Sequence, residues 1–103
     1  MTFLLKTLQE YQRISLYGGR DAYENIQDSK KTIFYREFYS RGKWMVGRGY
    51  PNKPDYGGYF AAFSSKAECP PLGLWANTRN KWPVFCKSSG VDQEMGLIFE
   101  LII

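Results

Sequence analysis

The sequence predicts an all-β chain: a small antiparallel meander of about six short strands, curled or in a single sheet, with irregular Gly/Pro loops. Three observations lead there. Runs rich in β-branched and aromatic residues alternate with clusters of Gly, Pro, Asp and Ser. No window of about eleven residues beyond Gln12 holds a clean helical period. Aromatic residues make up 17% of the chain, as eight Tyr, seven Phe and three Trp, and such rings suit a pleated, half-buried surface.

The elements follow in order. Phe3, Leu4, Leu5 and Leu8 are compatible with a turn or two of helix. Gln9–Leu16 is the first strand, and Tyr17-Gly18-Gly19-Arg20 turns it back, because Gly-Gly can take positive φ at both central positions of a hairpin. Ala22–Ile26 returns, and Asp28-Ser29-Lys30-Lys31 forms a polar turn. Thr32–Tyr39 carries the strongest strand pattern, with Ile33, Tyr35 and Glu37 on one face and Phe34, Arg36 and Phe38 on the other. Ser40-Arg41-Gly42 reads as the next turn, and Lys43–Gly47 as a strand with Trp44 and Val46 on one face. Gly49–Gly58 is punctuated by Gly and Pro and reads as a loop. Tyr59–Ser64 is a strand. Cys69-Pro70-Pro71 interrupts regular structure. Lys81–Cys86 closes the set, with Pro83 favouring an edge. Ser88–Gly96 reads as a linker, and Leu97–Ile103 as an apolar tail. Sheet order is expected to follow chain order, since neighbouring strands usually pair. The division is an N-terminal extension over 1–8, the aromatic-rich β-domain over 9–87, and linker plus tail over 88–103.

With 103 residues the chain makes one domain around one modest core. It holds no His, which removes the commonest general base, the commonest metal ligand and every Ser-His or Cys-His nucleophile pair. No pair of carboxylates is marked out for glycosidase work, and the Gly-rich stretches match no phosphate-binding loop. A non-catalytic protein without metal or cofactor is therefore expected. The net charge of +4, from 14 Lys+Arg against 10 Asp+Glu, mildly favours an anionic partner. Cys69 and Cys86 fit either one disulfide or two free thiols. No segment approaches the ~20 apolar residues of a membrane span. The Phe3–Leu5 stretch is short for a signal sequence, so a cell-surface or extracellular location is expected only within a longer chain that carries one, and a cytoplasmic location otherwise.

Two sets of side chains are candidates for binding. Tyr50, Tyr56 and Tyr59, in or beside the Gly/Pro loop, with Trp75, offer flat faces that stack on sugar rings. They support a binding or assembly module for a glycan or a protein partner, aided by an open sheet face. The competing structural role is core filling, which fits Trp44 and Trp82 best. The second set is Arg36, Arg41, Lys43 and Arg48, interleaved with rings between Tyr35 and Tyr50. It supports nucleic-acid or other polyanion binding, against the plain alternative of a solvated strand face. A third function is that of a structural subunit whose Leu97–Ile103 tail adds a strand to a partner.

Several short motifs carry a resemblance: Gly18-Gly19-Arg20-Asp21-Ala22-Tyr23, Ile33-Phe34-Tyr35, Lys43-Trp44-Met45-Val46-Gly47, Cys69-Pro70-Pro71-Leu72-Gly73-Leu74-Trp75 and Trp82-Pro83-Val84. The chain resembles, over Gln9–Phe85, a small Tyr/Trp-rich β-domain that recurs, often in tandem, in large multidomain and cell-surface proteins of marine invertebrates, algae and other protists. Gly18-Gly19-Arg20 stands where that domain has Asn-Gly-Arg. The resemblance implies a β-fold and a non-enzymatic module, and it carries over no site residue.

Overall fold

Gly18 and Gly19 adopt φ of 62° and 81°. These are the two positive values that a two-residue hairpin turn needs to match the twist of its strands. They join β1 (Leu8–Tyr17) to β2 (Arg20–Asn25), with Tyr17 opposite Arg20. β3 (Lys31–Phe38), β4 (Arg41–Arg48), β5 (Tyr59–Ser64) and β6 (Gly73–Asn77) follow, then β7 (Val84–Asp92) and β8 (Gly96–Ile102). The structure, a computed structural model, describes residues 8–77, 84–92 and 96–102, the last two stretches by their backbone alone. Each strand pairs antiparallel with the next, and β8 returns to pair with β1, so the meander closes as a barrel. Closure leaves no open sheet edge among these strands.

The expected all-β antiparallel meander in chain order is what the structure shows, with its curl carried to completion. The count rises from about six to eight, because β6 forms just after the Cys-Pro-Pro interruption and β8 forms in the stretch read as a tail, while β7 starts within the expected Lys81–Cys86 strand and runs on into the stretch read as a linker. Within the stretch read as an apolar tail, β8 lies between β7 and β1 and is paired on both sides within the chain. The expected helical turn at the N-terminus, and Trp82 and Pro83, lie outside the described residues.

Alternation places one face of every strand from β1 to β6 in a common cluster: Tyr11, Tyr23, Ile33, Tyr35, Trp44, Val46, Ala61 and Trp75. Six strands can share one cluster only if those faces point into the barrel. Burying a side chain such as Ile33 or Val46 is worth roughly 1.5–3 kcal/mol. The rings keep their polar atoms satisfied. Trp44 Nε1 donates to the Ala67 carbonyl at 2.9 Å, and Trp75 Nε1 to the Pro71 carbonyl at 2.9 Å. Arg20 closes one end of the interior. Its guanidinium lies 3.9 Å over the Tyr35 ring and donates to the carbonyls of Lys66 at 2.7 Å and Ala67 at 3.0 Å.

A second, smaller cluster forms on the outside of the sheet, where Ala22, Phe34 and Met45 are covered by Tyr17, Tyr50, Tyr56 and Ala62. The Gly49–Gly58 connection folds back to make this cover. Arg48 and Gly58 bond backbone to backbone at 3.0 Å, Gly57 returns a bond to Arg48 at 2.8 Å, and Gly49 donates to the Lys30 carbonyl at 2.7 Å. Among the described residues, no helix is long and apolar enough to cross a membrane.

Candidate functional site

The β3–β4 ladder decides what the outer face presents. Phe34 stands opposite Met45, Arg36 opposite Lys43, and Phe38 opposite Arg41. These pairs share the outward parity, while Ile33, Tyr35 and their partners Val46 and Trp44 point inward. The Gly49–Gly58 connection covers the Phe34–Met45 end. Beyond it the face continues as Arg36, Lys43, Phe38 and Arg41, and ends at the turn residues Tyr39 and Ser40.

That turn differs from the expected Ser40-Arg41-Gly42. The two loop residues are Tyr39 and Ser40, at φ of 48° and 67°. Gly42 lies within β4 instead, for a steric reason. A Cβ there would sit 2.8 Å from Tyr35 Cε1 and closer still to the hydroxyl, so Gly42 is the notch that admits the Tyr35 ring. The ring's hydroxyl then donates to Glu37 Oε2 at 2.8 Å. Burial, with the Glu37 carboxylate adding to it, pushes the Tyr35 phenol above the ordinary range.

Tyr39 is 99% exposed and Phe38 is 41% exposed. The Arg36 guanidinium lies 4.2 Å over the Phe38 ring, a cation–π contact. Phe38, Tyr39, Arg41 and Lys43 line a shallow, open depression of about 470 Å³. The ion pairs among the described residues join Arg13 to Asp21 at 2.8 Å, Arg20 to Glu68 at 3.9 Å and Arg48 to Asp28 at 4.0 Å. None includes Arg36, Arg41 or Lys43. Like charges directly opposite on one face are destabilising by some tenths of a kcal/mol, to roughly 1 kcal/mol.

The four cations singled out in the sequence therefore divide. Arg36, Arg41 and Lys43 come together. Arg48 has the opposite parity and lies at the other end of the hairpin, opposite Lys31. There it lines a separate depression with Glu24, Lys30, Tyr50, Lys53 and Asp55, where acids and bases are mixed.

The ring candidates are mostly spent on packing. Tyr50 stacks on Tyr17 at 5.2 Å between ring centroids and donates from its hydroxyl to Glu24 Oε2 at 3.1 Å. Burial, helped by Glu24, holds the Tyr50 phenol well above its ordinary value. Tyr56 packs edge-on to Phe34 at 6.3 Å, and its buried hydroxyl has no hydrogen-bond partner among the described residues. Burial raises the Tyr56 phenol, and the nearby Arg36 charge works against that rise. Trp75 is 1% exposed, with its N–H committed to Pro71, so it offers no face to a ligand. Tyr59 is 36% exposed and remains accessible.

Cys69 is exposed and unbridged in this structure. The backbone of Cys86 pairs with Gly73 in the β6–β7 ladder.

Phe38 and Tyr39 belong to the candidate face and were not singled out by the sequence. Tyr39 ended the strand pattern of Thr32–Tyr39, and the glycine at Gly42 drew the expected turn past it. In comparisons with known proteins, no family model, no curated protein and no solved structure matches the chain.

Proposed function

We propose that the protein is a non-catalytic binding module that holds a polyanion on the outer face of the β3–β4 hairpin. The observation that carries this reading is the triad Arg36, Arg41 and Lys43. Three cations share one face, two of them directly opposite, with no carboxylate paired to any of them among the described residues. A face so built loses stability when empty and regains it when phosphate or sulfate groups neutralise the charges. The positive net charge of the chain adds steering toward the same kind of partner. Glycan or protein recognition by loop aromatics is the weaker alternative, since the rings of Tyr50 and Tyr56 are engaged with Tyr17 and Phe34.

The test is a titration with long-chain inorganic polyphosphate, which offers charge alone. Binding is expected to weaken with salt at a log–log slope of about −2, as three anion contacts require. The folded triple variant Arg36→Gln/Arg41→Gln/Lys43→Gln is expected to lose at least about tenfold in affinity. The bound chain should be recovered at its original length. Failure of the wild-type protein to bind, or equal binding by the triple variant, overturns the reading.

A further inference from the structure

We infer that the polyanion is a single-stranded nucleic acid, with the Tyr39 ring stacking on a base while Arg36, Arg41 and Lys43 hold the backbone phosphates. This inference rests on the polyanion reading of the same face and adds the chemistry of the ligand.

Three observations carry it. Tyr39 is 99% exposed, so its ring contributes almost no packing to the fold. Yet it occupies a turn position at φ 48°, followed by Ser40 at φ 67°. Turns of this kind favour Asn-Gly, and a ring-bearing residue there costs of order 1–3 kcal/mol. A costly conformation that displays a ring to solvent is strain of the kind found at binding sites.

The second observation is the alternation of rings and charges. Phe38, Tyr39, Arg41 and Lys43 surround one depression of about 470 Å³. Residues two apart on a strand are about 7 Å apart, and directly opposite residues about 5 Å. Charges therefore recur on the scale that separates successive phosphates of an extended strand, with Phe38 beside Arg41 and Tyr39 just beyond it at the turn. A sulfated glycan supplies the charges without flat π-faces, and polyphosphate supplies charge alone. A duplex keeps its bases stacked on one another and turns none of them toward Tyr39. A single strand offers both the charges and the faces.

The third observation is the Arg36 guanidinium lying 4.2 Å over Phe38. A guanidinium seated over a ring can also offer its planar group to a base while its N–H edges reach phosphate.

The experiment compares four probes: a thymidine decamer, an abasic decamer of equal charge, the thymidine–adenosine duplex, and a heparin-derived oligosaccharide. Polyphosphate serves as the reference for charge alone. The wild-type protein is expected to bind the thymidine decamer about tenfold more tightly than the abasic one. Tyr39→Ala should bring the two together and leave polyphosphate affinity unchanged, while Tyr39→Phe retains the preference. Because Tyr39 is solvent-exposed, these variants are expected to fold, and circular dichroism confirms it before binding is read. Equal binding of thymidine and abasic decamers by the wild type, with polyphosphate still bound, overturns the inference and leaves the polyanion reading standing. Tighter binding of the oligosaccharide or the duplex does the same. Loss of polyphosphate binding overturns the reading beneath it.

Discussion

Arg36 and Lys43 stand directly opposite each other in the β3–β4 ladder, two cations on one outward face, and no described carboxylate is paired with either. The alternation that buries Tyr35 and Trp44 on the inner face forces this pair outward. Core packing and the charged face are thus consequences of one register, and a one-residue slip would exchange them.

Replacing Lys43 with Glu converts the repulsive pair into an attractive one. Lys43→Glu is expected to raise stability by about 0.2–1 kcal/mol, read as a higher urea midpoint at unchanged m-value. The same change should weaken polyphosphate binding. A variant both less stable and unchanged in binding would show that the pair carries no strain.

Gly42→Ala tests the notch. At an ordinary strand position, replacing Gly with Ala stabilises by roughly 0.5–1 kcal/mol. Here the added carbon would overlap the Tyr35 ring, so the sign should reverse, with a loss of about 1–3 kcal/mol in urea unfolding. The Tyr35→Phe background should recover part of that loss, because the hydroxyl is the nearest atom.

The turn can be relaxed independently of the face. Tyr39→Asn with Ser40→Gly supplies the residues that positive φ favours, and is expected to raise the urea midpoint by the equivalent of about 1 kcal/mol. Affinity for the thymidine decamer should fall to that of the abasic decamer. A gain in stability with full retention of binding would separate the turn from function.

The Tyr50 phenol is raised above its ordinary value of 10.0, chiefly by burial and then by Glu24. The neutral form is therefore favoured in the folded state. Its stabilising contribution is complete below pH 10 and is lost as pH rises from there toward the folded value. Thermal stability should be level through neutral pH as far as this group is concerned, then decline above about pH 10, and Tyr50→Phe should flatten that decline. An identical alkaline profile in the variant would remove Tyr50 as the cause.

Much of the fold was legible because period and turn chemistry agreed. The alternation in Thr32–Tyr39 placed Ile33 and Tyr35 opposite in sense to Phe34 and Arg36, as found, and Gly18-Gly19 marked its turn. Gly42 misled for a physical reason: a glycine needed for close approach looks, in sequence, like one needed for a turn. The Ser88–Asp92 stretch is rich in small and polar residues and lacks a strand signature, yet it pairs through its backbone in β7. Closure of the barrel depends on β8 meeting β1, a pairing of the chain's two ends that no local pattern encodes. At the candidate face, the cations were visible as residues. Their division into a triad and a separate Arg48 required the register. Tyr50 and Tyr56, read as open loop rings, cover Phe34 because the connection that carries them is fastened to Arg48 and Lys30 through its backbone.

The central claim is most directly tested by following backbone amide resonances during titration with the thymidine decamer. The account predicts shifts concentrated at Arg36 through Lys43, strongest near Tyr39, with the Tyr50–Tyr59 stretch and the depression around Arg48 and Lys53 little changed. Shifts centred on that second depression, or none at saturating oligonucleotide, would contradict it.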